Sequence, residues 1–257
     1  MYKHIQSACV SHPGLVRKNN EDNFFYNGEF LLSDNNGTQG IITDRFSQEC
    51  ESEKGILYAI FDGMGGGEYG EIASFMCAEE TEQFFSDDSN IKSNDIPGTL
   101  NDLCINLNNI VSDKRRELNV YQMGTTIVAA YIFAGRVWIC NIGDSRCYLY
   151  SKETNELRLL SVDHVEKARV VNKPRLTQHI GIFPEEMTIE PSIICVEPNC
   201  DDRLLLCSDG LTDMVTEAEI CDVIKEELPS EAAALLLEKA LKAGGKDNIT
   251  SVVVRFT

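Results

Sequence analysis

Basic residues are scarce in this chain of 257 residues: 23 lysines and arginines stand against 41 aspartates and glutamates, a formal charge of −18 at pH 7. A field of that sign repels phosphate backbones and anionic lipid surfaces, so neither nucleic acid nor membrane is an expected partner. Long apolar runs are also missing, none approaching the roughly 18 residues of a spanning helix. The opening Met1-Tyr2-Lys3-His4-Ile5-Gln6-Ser7 lacks the apolar core of a signal peptide. Only seven prolines occur and 43% of the residues are hydrophobic, which excludes a disordered or collagen-like chain. Ten cysteines are present without one C-x-x-C pair, and most lie in apolar runs such as Val137-Trp138-Ile139-Cys140 and Leu204-Leu205-Leu206-Cys207. That usage predicts small buried thiols in a reducing compartment, hence a cytoplasmic protein. The length and the absence of linkers or repeats predict one domain over residues 1–257, expected to be a monomer.

What is present is a series of short strand-like runs: Gly55 to Phe61, Thr126 to Phe133, Arg136 to Ile142, Cys147 to Tyr150, Leu157 to Leu160, Arg203 to Cys207 and Ile249 to Phe256. Thr126–Phe133 and Arg136–Ile142 are joined by Ala134-Gly135 alone, and a link so short forces antiparallel pairing. Apolar residues at helical spacing predict helices over Glu68 to Phe85 and Gly98 to Leu118, and two shorter ones over Glu217–Leu228 and Ser230–Ala243, parted by Pro229. Helices grouped between strand runs indicate α+β, with antiparallel sheets carrying helical layers outside. Ser33 to Lys54 and Asp87 to Pro97 are polar and read as surface loops.

Acids follow apolar strands at several points. Ile56 to Phe61 runs into Asp62-Gly63-Met64-Gly65-Gly66-Gly67, and Leu204 to Ser208 runs into Asp209-Gly210. Asp247 precedes the last strand, and Asp144 sits in Ile142-Gly143-Asp144-Ser145-Arg146. Carboxylates brought together from separate strand ends repel one another unless a hard cation lies among them, and oxygen-only ligands select Mg²⁺, Mn²⁺ or Ca²⁺ over zinc. Two such ions suit hydrolysis of a phosphate ester. Taken singly, Asp-Gly and Gly-Asp pairs are ordinary turns, so the argument rests on the ordered set.

That set runs Gly14-Leu15-Val16-Arg17-Lys18-Asn19-Asn20-Glu21-Asp22, Phe61-Asp62-Gly63-Met64-Gly65-Gly66, Met123-Gly124-Thr125-Thr126, Ile142-Gly143-Asp144-Ser145-Arg146, Leu206 to Asp213, and Gly245 to Thr250. In order and over nearly the whole chain it resembles the metal-dependent PP2C-type (PPM) Ser/Thr protein phosphatases, bacterial type. The resemblance implies a four-layer α-β-β-α sandwich, two antiparallel sheets flanked by helices. It further implies two Mn²⁺ or Mg²⁺ ions bridged by Asp62, with Asp209 and Asp247 on one ion and the Gly63 carbonyl on the other. Glu21 and Asp22 match the acidic pair in or just outside the metal shell, and Arg17 matches the arginine that grips substrate phosphate, for which a planar guanidinium is suited. Asp144 matches a third-metal position in bacterial relatives, with bracing of its own turn through Ser145 and Arg146 as the equal alternative.

The implied reaction is attack of a metal-bridging hydroxide on the phosphorus of phosphoserine or phosphothreonine in proteins, opposite a Ser/Thr kinase. His4, His12, His164 and His179 have no ligand spacing, and Thr125 and Thr126 read as a strand start. Met64 stands where many eukaryotic relatives carry a histidine, and only twelve residues separate Asp163 from Leu176, where many bacterial relatives carry a longer flap. The rivals are a phosphoprotein-binding protein with little turnover, which the retained Asp62, Asp209 and Asp247 disfavour, and a phosphatase for a small metabolite.

Overall fold

The computed structural model describes residues 4–32, 40–42, 48–49, 55–64, 69–166 and 175–257. In chain order the strands are β1 (His4–His12), β2 (Asp22–Tyr26), β3 (Gly40–Ile42), β4 (Gln48–Glu49), β5 (Ile56–Met64), β6 (Gly124–Thr125), β7 (Ile127–Phe133), β8 (Arg136–Ile142), β9 (Arg146–Ser151), β10 (Glu156–Leu159), β11 (Ser192–Val196), β12 (Arg203–Cys207) and β13 (Ile249–Phe256). The α-helices are α1 (Gly70–Ser86), α2 (Ile96–Leu118), α3 (Asp209–Thr212), α4 (Glu217–Glu226) and α5 (Pro229–Lys242). One sheet runs β10-β9-β12-β13-β1-β3 with β4 also on β1; the other runs β11-β8-β7-β5-β2 with β6 on β5. Every one of these named pairings is antiparallel.

Alternation along the strands decides what each layer packs against. On β5, Ile56, Tyr58 and Ile60 join Phe24, Val128, Leu204, Leu206, Val252 and Val254 in a core between the sheets. Leu57, Ala59 and Phe61 point the other way into a second core with Ala73 and Cys77 of α1 and Leu100, Leu103 and Leu107 of α2. Across the molecule, Val10, Leu205 and Val253 face Ile220, Ala233 and Leu236 of α4 and α5. Central strands are therefore apolar on both faces, which is why they read as continuous apolar runs. No helix among the described residues is long and apolar enough to cross a membrane.

The α-β-β-α sandwich stands as expected, with three corrections. β1 and β2 escape a periodicity reading because β1 carries Ser7 and Ser11 at buried positions, with Gln6 exposed between Ile5 and Ser7. Ser7 Oγ lies 2.8 Å from the Tyr26 hydroxyl and 3.0 Å from that of Tyr58, so a polar residue is satisfied inside the inter-sheet core. Second, Gly40–Ile42 and Gln48–Glu49, expected as loop, pair with β1; the rest of 33–54 lies outside the described residues. Third, Cys195 and Cys200 are exposed and Cys221 is half-buried, whereas Cys9, Cys77, Cys104, Cys140, Cys147 and Cys207 are buried thiols. Most of the short flap, residues 167–174, also lies outside the described residues, and Val165 bridges to Leu176 beside it.

Candidate metal centre

Antiparallel pairing sets the end of one strand beside the start of its neighbour, and that rule gathers the acids. Asp62 near the end of β5 stands directly opposite Asp22 at the start of β2. In the other sheet, Cys207 at the end of β12 pairs with Ser251 near the start of β13, which brings Asp209 and Asp247 to the same edge. The two sheets present these ends together. The charges of Asp209, Asp22, Asp144 and Asp247 all act on Asp62, whose carboxyl is raised far above the usual carboxylate range first by burial and then by those neighbours.

Asp22 is buried, and its Oδ2 accepts a 2.7 Å hydrogen bond from the Ser208 hydroxyl. Burial, followed by the Asp209 and Asp247 charges, pushes its carboxyl up to about 7 against the opposing pull of Ser208. Among the described residues, Asp22 Oδ1 is buried with no hydrogen-bond partner. Such an orphan next to crowded carboxylates is the arrangement a cation relieves, and the donors here are all oxygen, which fits Mg²⁺ or Mn²⁺. Among the described residues, however, no three His, Cys, Asp or Glu side chains close on one point as a finished ligand set. Mutual repulsion spreads them, and Arg17 Nη2 holds Asp247 Oδ2 at 2.7 Å.

The chain from Pro13 to Glu21 is pinned over the acids by Asn248. Its Nδ2 donates to the carbonyls of Pro13 (3.0 Å) and Asn19 (2.8 Å), and its Oδ1 accepts from the Glu21 N–H at 2.8 Å. Gly14 makes that close approach feasible: its φ is +79°, and a Cβ there would lie 2.2 Å from the Asp247 carbonyl oxygen. Arg17 is thereby held over the site, half-exposed, where sequence reading placed a phosphate-gripping arginine. Glu21 is fixed through its backbone, its carbonyl accepting from the Gly63 N–H (3.1 Å) and the Ser74 hydroxyl (2.6 Å). Burial and then the Glu71 charge raise its carboxyl, with Arg17 opposing. A Cβ on Gly63 would sit 2.3 Å from both the Glu21 and Gly70 carbonyl oxygens, so only glycine brings that carbonyl into the crowd.

Asp144 lines a hollow of about 240 Å³ with Arg146, Asp163, Val165, Asp209, Thr212 and Asp213. In the same turn, Ser145 Oγ meets Thr126 Oγ1 at 2.7 Å, and Arg146 grips Asp163 through Nε (3.1 Å) and Nη2 (2.7 Å). Thr126 Oγ1 also accepts from the Asp62 N–H at 3.2 Å, so the threonine at this strand start supports the central carboxylate. His12 and His164 spend Nδ1 on the N–H groups of Gly14 (2.9 Å) and Gly143 (3.1 Å). Sequence reading gave no role to Asn248, Ser208, Ser74 or Glu71. Their signal is weak because each acts through a backbone group or a neighbour's carboxylate, contacts that leave no spacing pattern.

A family model for protein phosphatase 2C matches residues 38–243. The chain belongs to the protein phosphatase 2C family. It is 33% identical over 255 residues to the serine/threonine phosphatase stp of Listeria welshimeri, covering 94% of this chain and 92% of that one. It is 31% identical over 261 residues to the serine/threonine protein phosphatase PstP of Mycobacterium tuberculosis, covering 97% of this chain and 44% of that longer protein. Among solved structures, the catalytic domain of PstP in complex with two manganese ions superposes with a TM-score of 0.73 at 27% identity, covering 98% of each chain. PppA of Pseudomonas aeruginosa, described as a key regulatory component of T6SS, superposes with a TM-score of 0.80 at 25% identity over 100% of this chain and 99% of that one. Membership of the protein phosphatase 2C family accounts for why these acids lie at these strand ends.

Proposed function

We propose that this protein hydrolyses phosphoserine and phosphothreonine in proteins with the help of two Mn²⁺ or Mg²⁺ ions held at the acid-lined strand ends. The observation that carries the reading is the Asp62–Asp22 pair in register, Asp22 buried and Asp62 half-buried, with Asp209 and Asp247 delivered to the same edge by the other sheet. Asp62 would bridge the ions, Asp209 and Asp247 would serve one, and the Gly63 carbonyl the other. Asp144, in its hollow with Asp209, is the candidate for a third. When bound, the ions supply Lewis acidity and lower the pKa of water.

The chain's own residues do the rest. Arg17, arched over the site by Asn248, exchanges its Asp247 contact for two parallel hydrogen bonds to the phosphoryl oxygens. Asp22 and Glu21 accept hydrogen bonds from water around the ions and hold its orientation. Met64 has no proton to give, so the leaving oxygen takes its proton from water. The setting is proposed as cytoplasmic, the chain acting as a monomer opposite a Ser/Thr kinase; the buried free thiols and the acidic surface support that setting.

The test is hydrolysis of p-nitrophenyl phosphate and a phosphothreonine peptide by metal-stripped protein, titrated with Mn²⁺ and Mg²⁺. Turnover dependent on metal, with the peptide preferred, is expected. A folded protein inert toward both substrates with both metals would overturn the reading, and a strong preference for small esters would reassign the substrate.

A further inference from the structure

Beside the acids, on the α2 side of β5, lies a cavity of about 350 Å³ lined by Met64, Arg115, Tyr121, Gln122, Met123, His179 and Glu186. Arg115, in the last turn of α2, is its unusual wall, with only 9% of its surface exposed. A guanidinium that deep ordinarily meets a carboxylate. Arg115 meets none within 4 Å among the described residues; instead Nη1 donates to the Gly181 carbonyl (3.1 Å) and Nη2 to that of Tyr121 (2.7 Å). Its flat face stacks 4.2 Å from the Phe183 ring centre, and its Nε is buried with no partner at all. The arginine is thus locked in place by two carbonyls and a ring while donors remain unspent. His179 beside it is disfavoured as a second cation, since burial lowers its pKa. Glu186, the acid of this cavity, is exposed and does not pair with Arg115.

The cavity is close enough to serve the site. Met64, in the cavity's wall, lies two residues beyond Asp62 on β5, a step of roughly 7 Å along the strand at about 3.3 Å per residue. One or two residues of an extended peptide cover the same span. Tyr121, 86% exposed, offers a flat wall for the peptide at the cavity's rim.

Resting on the phosphatase reading above, we propose that this cavity is a substrate subsite in which Arg115 receives the carboxylate of an aspartate or glutamate one or two residues from the phosphorylated residue. The carboxylate supplies the acceptor that Arg115 lacks, and Glu186 at the mouth sets a modest repulsion that the buried contact outweighs. Discrimination comes from leaving Arg115 unsatisfied when the flanking residue is neutral.

The experiment compares kcat/KM with Mn²⁺ for phosphothreonine peptides carrying Glu, Gln or Lys in turn at the two positions on either side. Wild type is expected to favour Glu over Gln about tenfold at one of them, the size of a charge-assisted hydrogen bond. Arg115→Gln brings that ratio to about one, and Glu186→Gln raises it severalfold by removing the charge at the mouth. Because Arg115 also ties Gly181 and Tyr121 together, Arg115→Gln is checked for folding by thermal melting; if it does not fold, the exposed Glu186→Gln decides. Equal rates for Glu and Gln peptides in wild type, or a ratio unmoved by either variant, overturns the subsite. So does a uniform loss over all peptides in Arg115→Gln, which marks a clamp in the fold alone. Absence of turnover on every peptide by the folded wild type instead defeats the phosphatase reading, and the subsite with it.

Discussion

On β5, Ile56, Tyr58 and Ile60 disappear into the core between the sheets, whereas Asp62, two residues past Ile60 on the same strand, is crowded by four other carboxylates. Burying each large side chain in the first region stabilises the fold by about 1.5–3 kcal/mol. Burying the acids of the second costs free energy, because charge is taken from water and set beside like charge. The fold places the two regions back to back, so the core holds in place a site that would otherwise fly apart. The lesson is that stability and function draw on opposite ends of the same strands, and each can be perturbed without the other.

The sharpest way to split them is Asp209→Asn. Phosphatase activity with Mn²⁺ is expected to fall roughly a thousandfold, in line with losing several kcal/mol of metal-derived stabilisation, while the metal-free protein melts at a higher temperature than wild type. A variant that lost activity and stability together would break the comparison. Phe24→Ala, in the inter-sheet core, is its mirror image: about 3–5 kcal/mol of unfolding free energy is lost. Its Mn²⁺ affinity by calorimetry should match wild type as long as the protein is folded.

The pH dependence of the metal-free protein comes next in size. Asp22 titrates near 7 in the folded chain and near 4 when unfolded, so across that window the folded form holds a proton that the unfolded form has released. Stability therefore falls as pH rises from about 4 to 7, by roughly 1 kcal/mol per unit where steepest, and Asp62 adds in the same direction. Urea titrations with and without Mn²⁺ check this; the slope should vanish or reverse with metal, since bound metal favours the ionised carboxylates. Asn248→Ala should lower kcat/KM about tenfold by freeing the 13–21 segment that carries Arg17. Smallest is Thr216→Ala, which removes the capping box at the start of α4. It should cost about 1 kcal/mol in thermal unfolding and leave Mn²⁺ affinity unchanged.

Much of this was legible beforehand. Apolar runs on β5, β7, β8, β12 and β13 show themselves because strands buried on both faces need no polar residue. β1 and β2 did not, because Ser7, Ser11 and Asn23 are polar yet satisfied by partners that only the folded sheets supply. For the site, Asp62, Asp209, Asp247, Asp144, Arg17, Glu21 and Asp22 stood out through their place in ordered blocks. Asn248, Ser208 and Thr126 serve the same acids through single hydrogen bonds to groups 64 to 227 positions away in sequence, and no local pattern encodes such distances.

The sequence by itself determined β5, β7 to β10, β12 and β13, the four longer helices and the acids at the strand ends, because alternation and turn chemistry are local. Only the tertiary structure decided which acids meet. Asp22 lies opposite Asp62 through β-pairing over 40 residues of chain, and Asn248 reaches back 227 residues to carry Glu21 there. It likewise decided that Arg115, an ordinary helix-end cation in the sequence, is buried in a cavity wall beside the site and pairs with no acid among the described residues. Charge is written into the chain residue by residue, but its energy depends on distance and burial, and those belong to the fold.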